Sequence, residues 1–233
     1  MSEAPAKRKN LVIAIDGPSA AGKGTLGRRL AARYGLAYLD TGLIYRAVAV
    51  RLLGEGGDLA DAETAERAAR AMMPADLFAA GLRDEKIGAA ASVVAAHPGV
   101  RAALVDFQRR FAANPPDLGP DRPARGAVLD GRDIGTWICP DAAIKFFITA
   151  ERDARAGRRH RELLARGEAA IYARVLQDME ARDVRDAGRE AAPLRPAPDA
   201  VVIDSSELDA DAVFERAVAH IDGLVGRDRQ PTT

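Results

Sequence analysis

The chain has few of the residues that build covalent or multi-metal frameworks. Its one cysteine, Cys139, excludes an internal disulfide and any multi-cysteine metal site, as is typical of a reducing compartment. The three histidines, His97, His160 and His220, lack the spacing of metal ligands, so we expect them to be structural and predict no protein metal site. The only tryptophan, Trp137, is assigned to the core rather than to a surface that stacks on bases.

Long apolar runs and an excess of charge of one sign are also absent. No stretch reaches the ~18 apolar residues of a membrane span, and residues 1–10, which we expect to be frayed, lack the apolar core of a signal peptide. With 34 basic and 34 acidic residues the formal charge is +0, which favours neither a nucleic acid nor a membrane as partner. We therefore expect a cytoplasmic monomer in which any anion binding is local.

Apolar runs and helical segments alternate along the chain. The runs typical of buried strands cover residues 11–16, 37–40, 127–130, 143–150 and 200–204. This alternation predicts an α/β fold with a doubly wound parallel sheet, whose ligands bind at the carboxyl ends of the strands. A chain of 233 residues suits one such domain with a small lid or insertion.

The segments between the strands have the period of amphipathic helices. Predicted helices cover residues 24–34, 41–57, 61–73, 83–113 with an interruption at Pro98, 151–189 and 209–225. Gly35 closes the first of them as a C-cap. Residues 74–83 and 113–126 are punctuated by proline and glycine, so we expect loops there.

A glycine-rich turn joins the first strand to the first helix. In such a turn, backbone N–H groups and the helix N-terminus hold phosphate oxygens, and Lys23 stands where the lysine reaches the β- and γ-phosphates. A guanine-binding N-K-x-D motif is absent, because the only asparagines are Asn10 and Asn114, so we expect a site for adenine or one without base selectivity, with ATP as the donor. We predict that Lys23 is catalytic and that the whole turn binds ATP: Gly17, Pro18, Ser19, Ala20, Ala21, Gly22, Lys23, Gly24 and Thr25.

The turn departs from the general G-x-x-x-x-G-K-[ST] pattern at its end. Gly24 stands where a hydroxyl normally ligates Mg²⁺, so the metal is expected to be held mainly through water and phosphate oxygens. Thr25 is left to contact a phosphate. Asp40 and Asp130 each end a strand, where either could hold a metal-bound water, accept a proton, or cap the next helix.

Three further motifs follow in order, L-D-T-G-L-I-Y-R (39–46), D-G-R-D-I-G-T (130–136) and R-D-x-R-D-x-x-R-x-x-A-P-L (182–194). With G-P-S-x-x-G-K-G-T, they resemble the bacterial cytidylate kinases, of the nucleoside-monophosphate kinase group, over residues 11–222. The resemblance implies phosphoryl transfer from ATP with Mg²⁺ to CMP or dCMP. It also implies one domain over 1–233, divided into a core (about 11–50, 125–150 and 190–225), a monophosphate-binding part (about 51–113) and a lid (about 151–175).

The resemblance assigns nine residues to the acceptor nucleotide. Thr41 is near it, Arg46 and Arg132 grip its phosphate, Asp133, Ser92 and Arg101 surround the cytosine ring, Arg182 and Asp186 contact the sugar, and Arg189 faces the base. Family members commonly carry a small antiparallel sheet after the helix that ends near Met73, whereas about eight residues intervene here. We therefore expect a trimmed monophosphate-binding part.

Residues 151–189 hold ten arginines and eight acidic residues. Arg182, Arg185 and Arg189 form one stripe of a helix, which on its own is typical of a solvated face held by Asp183 and Asp186. Beside a phosphate-binding turn, the same stripe suits a phosphoryl group whose charge needs several cationic donors.

Within that stretch we predict a lid that closes over the donor. Arg155, Arg158 and Arg159 lie at helical spacing and are expected to reach the ATP phosphates, with Arg158 and Arg185 catalytic. Three other functions remain open. They are a kinase for UMP, AMP or a small metabolite, a regulatory module that hydrolyses ATP, and a nucleic-acid face along 151–189, which the interspersed acids would oppose.

Overall fold

Five strands form the centre of the molecule in this computed structural model, which describes residues 10–189 and 192–227. They are β1 (Leu11–Asp16), β2 (Ala37–Asp40), β3 (Gly126–Gly131), β4 (Ile144–Thr149) and β5 (Val201–Asp204). All pair in parallel, in the order β2-β3-β1-β4-β5. The predicted α/β fold with a parallel sheet is confirmed, whereas the expectation for residues 1–9 lies outside the described part.

Eight α-helices connect and cover these strands in the described residues. They are α1 (Lys23–Tyr34), α2 (Thr41–Gly54), α3 (Ala62–Arg70), α4 (Glu85–Val94), α5 (Pro98–Ala113), α6 (Arg152–Ala165), α7 (Tyr172–Ala187) and α8 (Ala210–Arg227). Pro98 begins α5, where its missing N–H costs no helical hydrogen bond, so the predicted interruption is confirmed. The arginine-rich stretch is two helices rather than one, because residues 166–171 leave the helical conformation.

The core lies on both faces of the sheet, because successive strand residues point to opposite sides. Ile13 and Ile15 of β1 pack with α1 and α8 on one face, whereas Ala14 between them packs with α2 to α5 on the other. The strands β1, β3 and β4 are mostly buried on both faces, which explains why they read as continuous apolar runs.

Residues 51–113, all of which are described, contain no strand. The segment between α3 and α4 carries only the short 3₁₀ helix Pro74–Phe78, so it contains no antiparallel sheet. In the described ranges, no single helix combines the length and hydropathy needed to cross a membrane, and one bent pair, α4 with α5 at 103°, meets the criteria jointly.

Candidate active site

The glycine-rich turn has the backbone of a phosphate-binding loop. Gly17 has φ +144°, and a Cβ there would lie 2.0 Å from the carbonyl oxygen of Ile148 on β4, so no larger residue fits. Gly22, with φ +96°, directly precedes α1 and turns the chain into the helix. The turn therefore presents the N-terminus of α1 at the carboxyl end of the sheet.

A cavity of ≈ 290 Å³, here called the phosphate cavity, lies over this turn. From the turn it is lined by Ser19, Ala20, Gly22, Lys23, Gly24 and Thr25. Around them stand further charged residues that the sequence prediction did not all include: Arg28, Asp40, Arg46, Arg83, Asp130, Arg132, Arg159, Glu162, Arg166 and Arg182. Eight basic side chains thus face three carboxylates, which makes the cavity a site for anions.

Lys23 lies at the floor of this cavity and is only 6% exposed. Its Nζ donates a hydrogen bond to the carbonyl of Pro18 at 2.8 Å. Burial, and then the nearby guanidinium of Arg132, lower the pKa of Lys23 to about 7. An anion in the cavity would favour its charged form, so the lysine is suited to bind a phosphate group.

Two carboxylates face Lys23 from adjacent strand ends, since Asp40 and Asp130 are register partners on β2 and β3. Burial and the neighbouring Asp40 raise the pKa of Asp130 to about 6. Asp130 accepts a hydrogen bond from the hydroxyl of Tyr38, and Asp40 lies 3.7 Å from Arg83. Asp40 precedes α2 without a side-chain capping bond, so the capping role left open for it is wrong.

Next to the phosphate cavity lies a second recess, the acceptor pocket, which shares Gly42, Arg132 and Arg182 with it. Eight of the nine residues predicted for the acceptor line this pocket: Thr41, Ser92, Arg101, Arg132, Asp133, Arg182, Asp186 and Arg189. The ninth, Arg46, lines the phosphate cavity instead and donates to the carbonyls of Leu82 and Asp84. Residues from five separate elements therefore converge here.

The buried carboxylate of Asp186 gathers three of these arginines. It accepts hydrogen bonds from Arg132, at 2.8 Å, and from Arg189, and lies 4.0 Å from Nε of Arg182. Burial opposes its ionisation, but the three guanidinium groups outweigh burial and hold the pKa of Asp186 below its usual value. Nε of Arg182 and Nε of Arg189 are buried without a hydrogen-bond partner, so these donors are available to an anionic or polar ligand.

Asp16, at the end of β1, stabilises the turn that follows Asp133 of the acceptor pocket. Its two carboxylate oxygens accept the backbone N–H groups of Ile134 and Gly135 at 2.8 and 2.7 Å. These residues begin a π-helical turn, Ile134–Ile138, directly after Asp133, which pairs with Arg101. Burial raises the pKa of Asp16 to about 6, while the two backbone donors favour its charged form.

The three lid arginines predicted from the sequence, and the predicted catalytic residue Arg185, lie in different places. Arg159 lines the phosphate cavity, where it pairs with Glu85 of α4 and Glu162. Arg158 lines a third recess of ≈ 510 Å³, here called the β5 pocket, and donates to Oγ of Ser205 after β5 at 2.9 Å.

Arg155 and Arg185 line none of these three recesses. Arg155 forms a two-bond ion pair with Asp183, at 3.2 and 2.7 Å, which removes Asp183 from the stripe that it was predicted to support. Arg185 donates to Oγ of Ser92 at 3.2 Å and so joins α7 to α4. Neither side chain lines the phosphate cavity, although Nη1 of Arg155 donates to the carbonyl of Ser19 in the glycine-rich turn at 3.4 Å.

A comparison with protein-family models matches residues 13–223 to the cytidylate kinase model. The chain belongs to the cytidylate kinase family. Among curated relatives, a cytidylate kinase from Paramagnetospirillum magneticum is 57% identical over 94% of this chain and 99% of its own. Another, from Methylocella silvestris, is 57% identical over 91% of this chain and 94% of its own.

One solved structure agrees on the fold. An uncharacterized protein from Eubacterium ventriosum, 15% identical, superposes with a TM-score of 0.52 over 91% of this chain and 98% of its own. The family model and the curated relatives confirm the resemblance inferred from the motifs, and this cytidylate kinase family member has the parallel sheet that its alternating strands and helices predict.

Two features of this cytidylate kinase family member were not predicted. Trp137 was assigned to the core but is 53% exposed, because the π-helical turn points Ile134 and Ile138 inward and Trp137 outward. The roles of Asp16 and Tyr38 were missed. For Asp16, the available signal was that it ends a buried strand, as Asp40 and Asp130 do.

Proposed function

We propose that this member of the family transfers the γ-phosphoryl group of ATP to CMP or dCMP, giving CDP or dCDP. One arrangement carries the proposal. The phosphate cavity adjoins the β5 pocket through Gly22 and Thr25, and the acceptor pocket through Gly42, Arg132 and Arg182. Two nucleotides can therefore meet phosphate to phosphate over the same turn.

The donor nucleotide enters from the β5 pocket. Its triphosphate lies on the glycine-rich turn against Lys23, and its base occupies the recess between Ala154 of α6 and the segment after β5. Thr25 lines both recesses and is placed to contact a phosphate. ATP acts here as a substrate, in keeping with the family.

The acceptor enters from the opposite side. Arg46 and Arg132 bind its phosphate, and the remaining predicted residues of the acceptor pocket bind the sugar and the base. Ser92 and the buried Arg101–Asp133 pair offer both donors and acceptors, which suits the edge of a pyrimidine ring.

The residues at the cavity fit a magnesium ion held largely through water. Asp40 and Asp130 provide hard carboxylate oxygens, whereas Gly24 provides no hydroxyl. The described residues contain no group of three or more His, Cys, Asp or Glu side chains that could ligate a metal. These two carboxylates would therefore hold the ion through its water ligands. When bound, Mg²⁺ neutralises charge on the phosphate oxygens.

The reaction follows from charge and position. An acceptor phosphate oxygen attacks the γ-phosphorus, the bond from that phosphorus to the bridging oxygen breaks, and ADP leaves with the electron pair. A general base is not required because the acceptor oxygen is already anionic. Lys23, Arg132, Arg159 and Arg182 stabilise the charge spread over the transferring group.

Residues 151–175 act as the lid in this proposal. Closure brings Arg158 and Arg159 over the donor, excludes water, and thereby keeps the phosphoryl group for the acceptor. Arg155 and Arg185 hold α6 and α7 in place through Asp183 and Ser92. The chain acts as a cytoplasmic monomer. Its core, monophosphate-binding part and lid have the bounds that the resemblance implies.

An ATP-consumption assay across CMP, dCMP, UMP, AMP and GMP tests the function. We expect activity with CMP and dCMP to exceed activity with AMP and GMP, because the acceptor pocket is lined by the residues predicted to surround a cytosine ring. ATP consumption without an acceptor serves as the control and should be low. A preference for AMP, or equal rates with all five, would contradict the proposed specificity.

The Arg46→Ala variant tests the acceptor's phosphate site. The KM for CMP should rise about 10- to 100-fold, because a hydrogen bond to a charged group is worth about 1.5–3 kcal/mol. The KM for ATP should change little. Arg67→Ala, which removes an exposed arginine of α3, is the matched control and should leave both constants unchanged. A rise confined to the KM for ATP would place Arg46 on the other substrate.

A further inference from the structure

Tyr38 is a residue of the phosphate site that no motif includes. It lies on β2, and its hydroxyl donates a hydrogen bond to Oδ2 of Asp130 at the end of β3. The guanidinium of Arg28, which lines the phosphate cavity, lies 5.8 Å from the centre of the Tyr38 ring. One side chain thus contacts an anionic and a cationic group of the same cavity.

The ring packs against the first turns of α1, where two glycines make room for it. A Cβ at Gly27 would lie 2.7 Å from Cε2 of Tyr38, which is too close for any larger residue. A Cβ at Gly24 would lie 3.3 Å from the Tyr38 hydroxyl and 3.5 Å from Oδ2 of Asp130. The Tyr38 hydroxyl therefore occupies the space into which a side chain at position 24 would extend.

Gly24 is also the position at which phosphate-binding loops of the general pattern carry a serine or threonine hydroxyl. In this chain, the nearest hydroxyl to a Cβ at that position belongs to Tyr38, supplied from a different element. It faces the buried carboxylate of Asp130, whose charged form needs a donor.

We propose that Tyr38 is a positioning residue for phosphoryl transfer, whose hydroxyl orients the Asp130 carboxylate beside the glycine-rich turn in place of the hydroxyl that Gly24 lacks. The inference rests on the proposed function, because it gives Asp130 a task in the transfer site. With Oδ2 held by Tyr38, Oδ1 of Asp130 remains for the water or cation that accompanies the donor phosphates. Without the hydroxyl, the carboxylate is free to rotate away.

The Tyr38→Phe variant tests this inference, because it keeps the ring against Gly27 and removes only the hydroxyl. We expect kcat to fall about tenfold, the value of a hydrogen bond to a charged group, with the KM for CMP unchanged. Tyr34→Phe is the matched control. It removes a hydroxyl that lies outside the cavity and donates a hydrogen bond to Asp222 at 2.9 Å. That variant should keep the wild-type kcat.

A binding measurement separates positioning from stability. The affinity for metal-free ATP should be unchanged in Tyr38→Phe, whereas the increment in ATP affinity on adding Mg²⁺ should shrink about tenfold. Both effects should be absent from Tyr34→Phe. Wild-type kcat together with a wild-type Mg²⁺ increment in Tyr38→Phe would overturn the inference and leave the proposed function standing, whereas a wild-type protein inactive on CMP would overturn the function itself.

The double variant Tyr38→Phe with Gly24→Ser provides a rescue. With the tyrosine hydroxyl gone, a serine at position 24 has room to donate to Asp130, and its backbone needs no left-handed conformation. We expect it to recover kcat relative to Tyr38→Phe. Gly24→Ser alone should lower kcat, because it crowds the Tyr38 hydroxyl. No recovery in the double variant would overturn the role of the hydroxyl.

Discussion

Replacing Lys23 with alanine is expected to lower kcat by ~10²–10³, the usual effect of removing one donor aimed at transition-state charge. The lysine lies on the cavity floor, at the start of α1, where a γ-phosphate on the glycine-rich turn would meet its Nζ. Steady-state kinetics with saturating ATP and CMP measure the change. The KM for CMP should move far less than kcat, because the interaction is strongest in the transition state.

The same variant should fold normally. The Lys23 ammonium is desolvated and lies near the cations of Arg132 and Arg182, so its removal relieves burial and repulsion, which offsets the lost hydrogen bond to Pro18 and the lost attraction to Asp130 and Asp40. Thermal unfolding checks this point. Lys86→Ala, an exposed lysine on α4, is the matched control and should retain activity. Turnover near the wild-type value in a folded Lys23→Ala protein would contradict the assignment of the glycine-rich turn as a phosphate-binding loop.

Replacing Asp186 with asparagine should lower the free energy of unfolding by about 3–5 kcal/mol, the cost of removing one partner from a buried ion pair. The change nearly preserves shape but leaves Arg132, Arg182 and Arg189 together without their carboxylate, which is 1% exposed. Denaturant unfolding at neutral pH measures the loss. The KM for CMP should rise as well, because the arginines separate when nothing holds them.

A control variant and the pH dependence of the free energy of unfolding separate this effect from a general loss of packing. Glu180→Gln, on the same helix, breaks an exposed pair with Arg152 and should cost under ~1 kcal/mol. Because the pKa of Asp186 is held below its usual 3.8, its contribution is present at neutral pH and lost as the pH falls below that value. An Asp186→Asn protein as stable as Glu180→Gln would refute the proposed role of the carboxylate.

The sheet and most of the helices could be predicted because their signals are local. Each strand is a short apolar run and each lies within one residue of its predicted bounds. The π-helical turn at Ile134–Ile138 could not be predicted in this way, because it is stabilised by Asp16, more than a hundred residues away. The exposure of Trp137 follows from that turn and was predicted wrongly for the same reason.

The sequence grouped the residues predicted for the acceptor more completely than those predicted for the donor. The acceptor residues lie in motifs whose order the family preserves, and eight of the nine line one recess. The lid arginines were assigned from helical spacing alone. Spacing predicts which side chains share one face of a helix, but not which residues they will contact. Spacing could not predict that Arg158 would bond Ser205 after β5, or that Arg155 would pair with Asp183 on α7.

The charge of the phosphate cavity has a kinetic consequence. Its eight basic and three acidic side chains belong to a chain whose formal charge is +0, so the positive potential is concentrated at one opening. Such a cleft focuses field lines and raises the rate of anion association by ~10–10³, an advantage that falls steeply with ionic strength. Nucleotides are therefore drawn to the cavity before any contact forms, whereas an uncharged nucleoside arrives by unassisted diffusion.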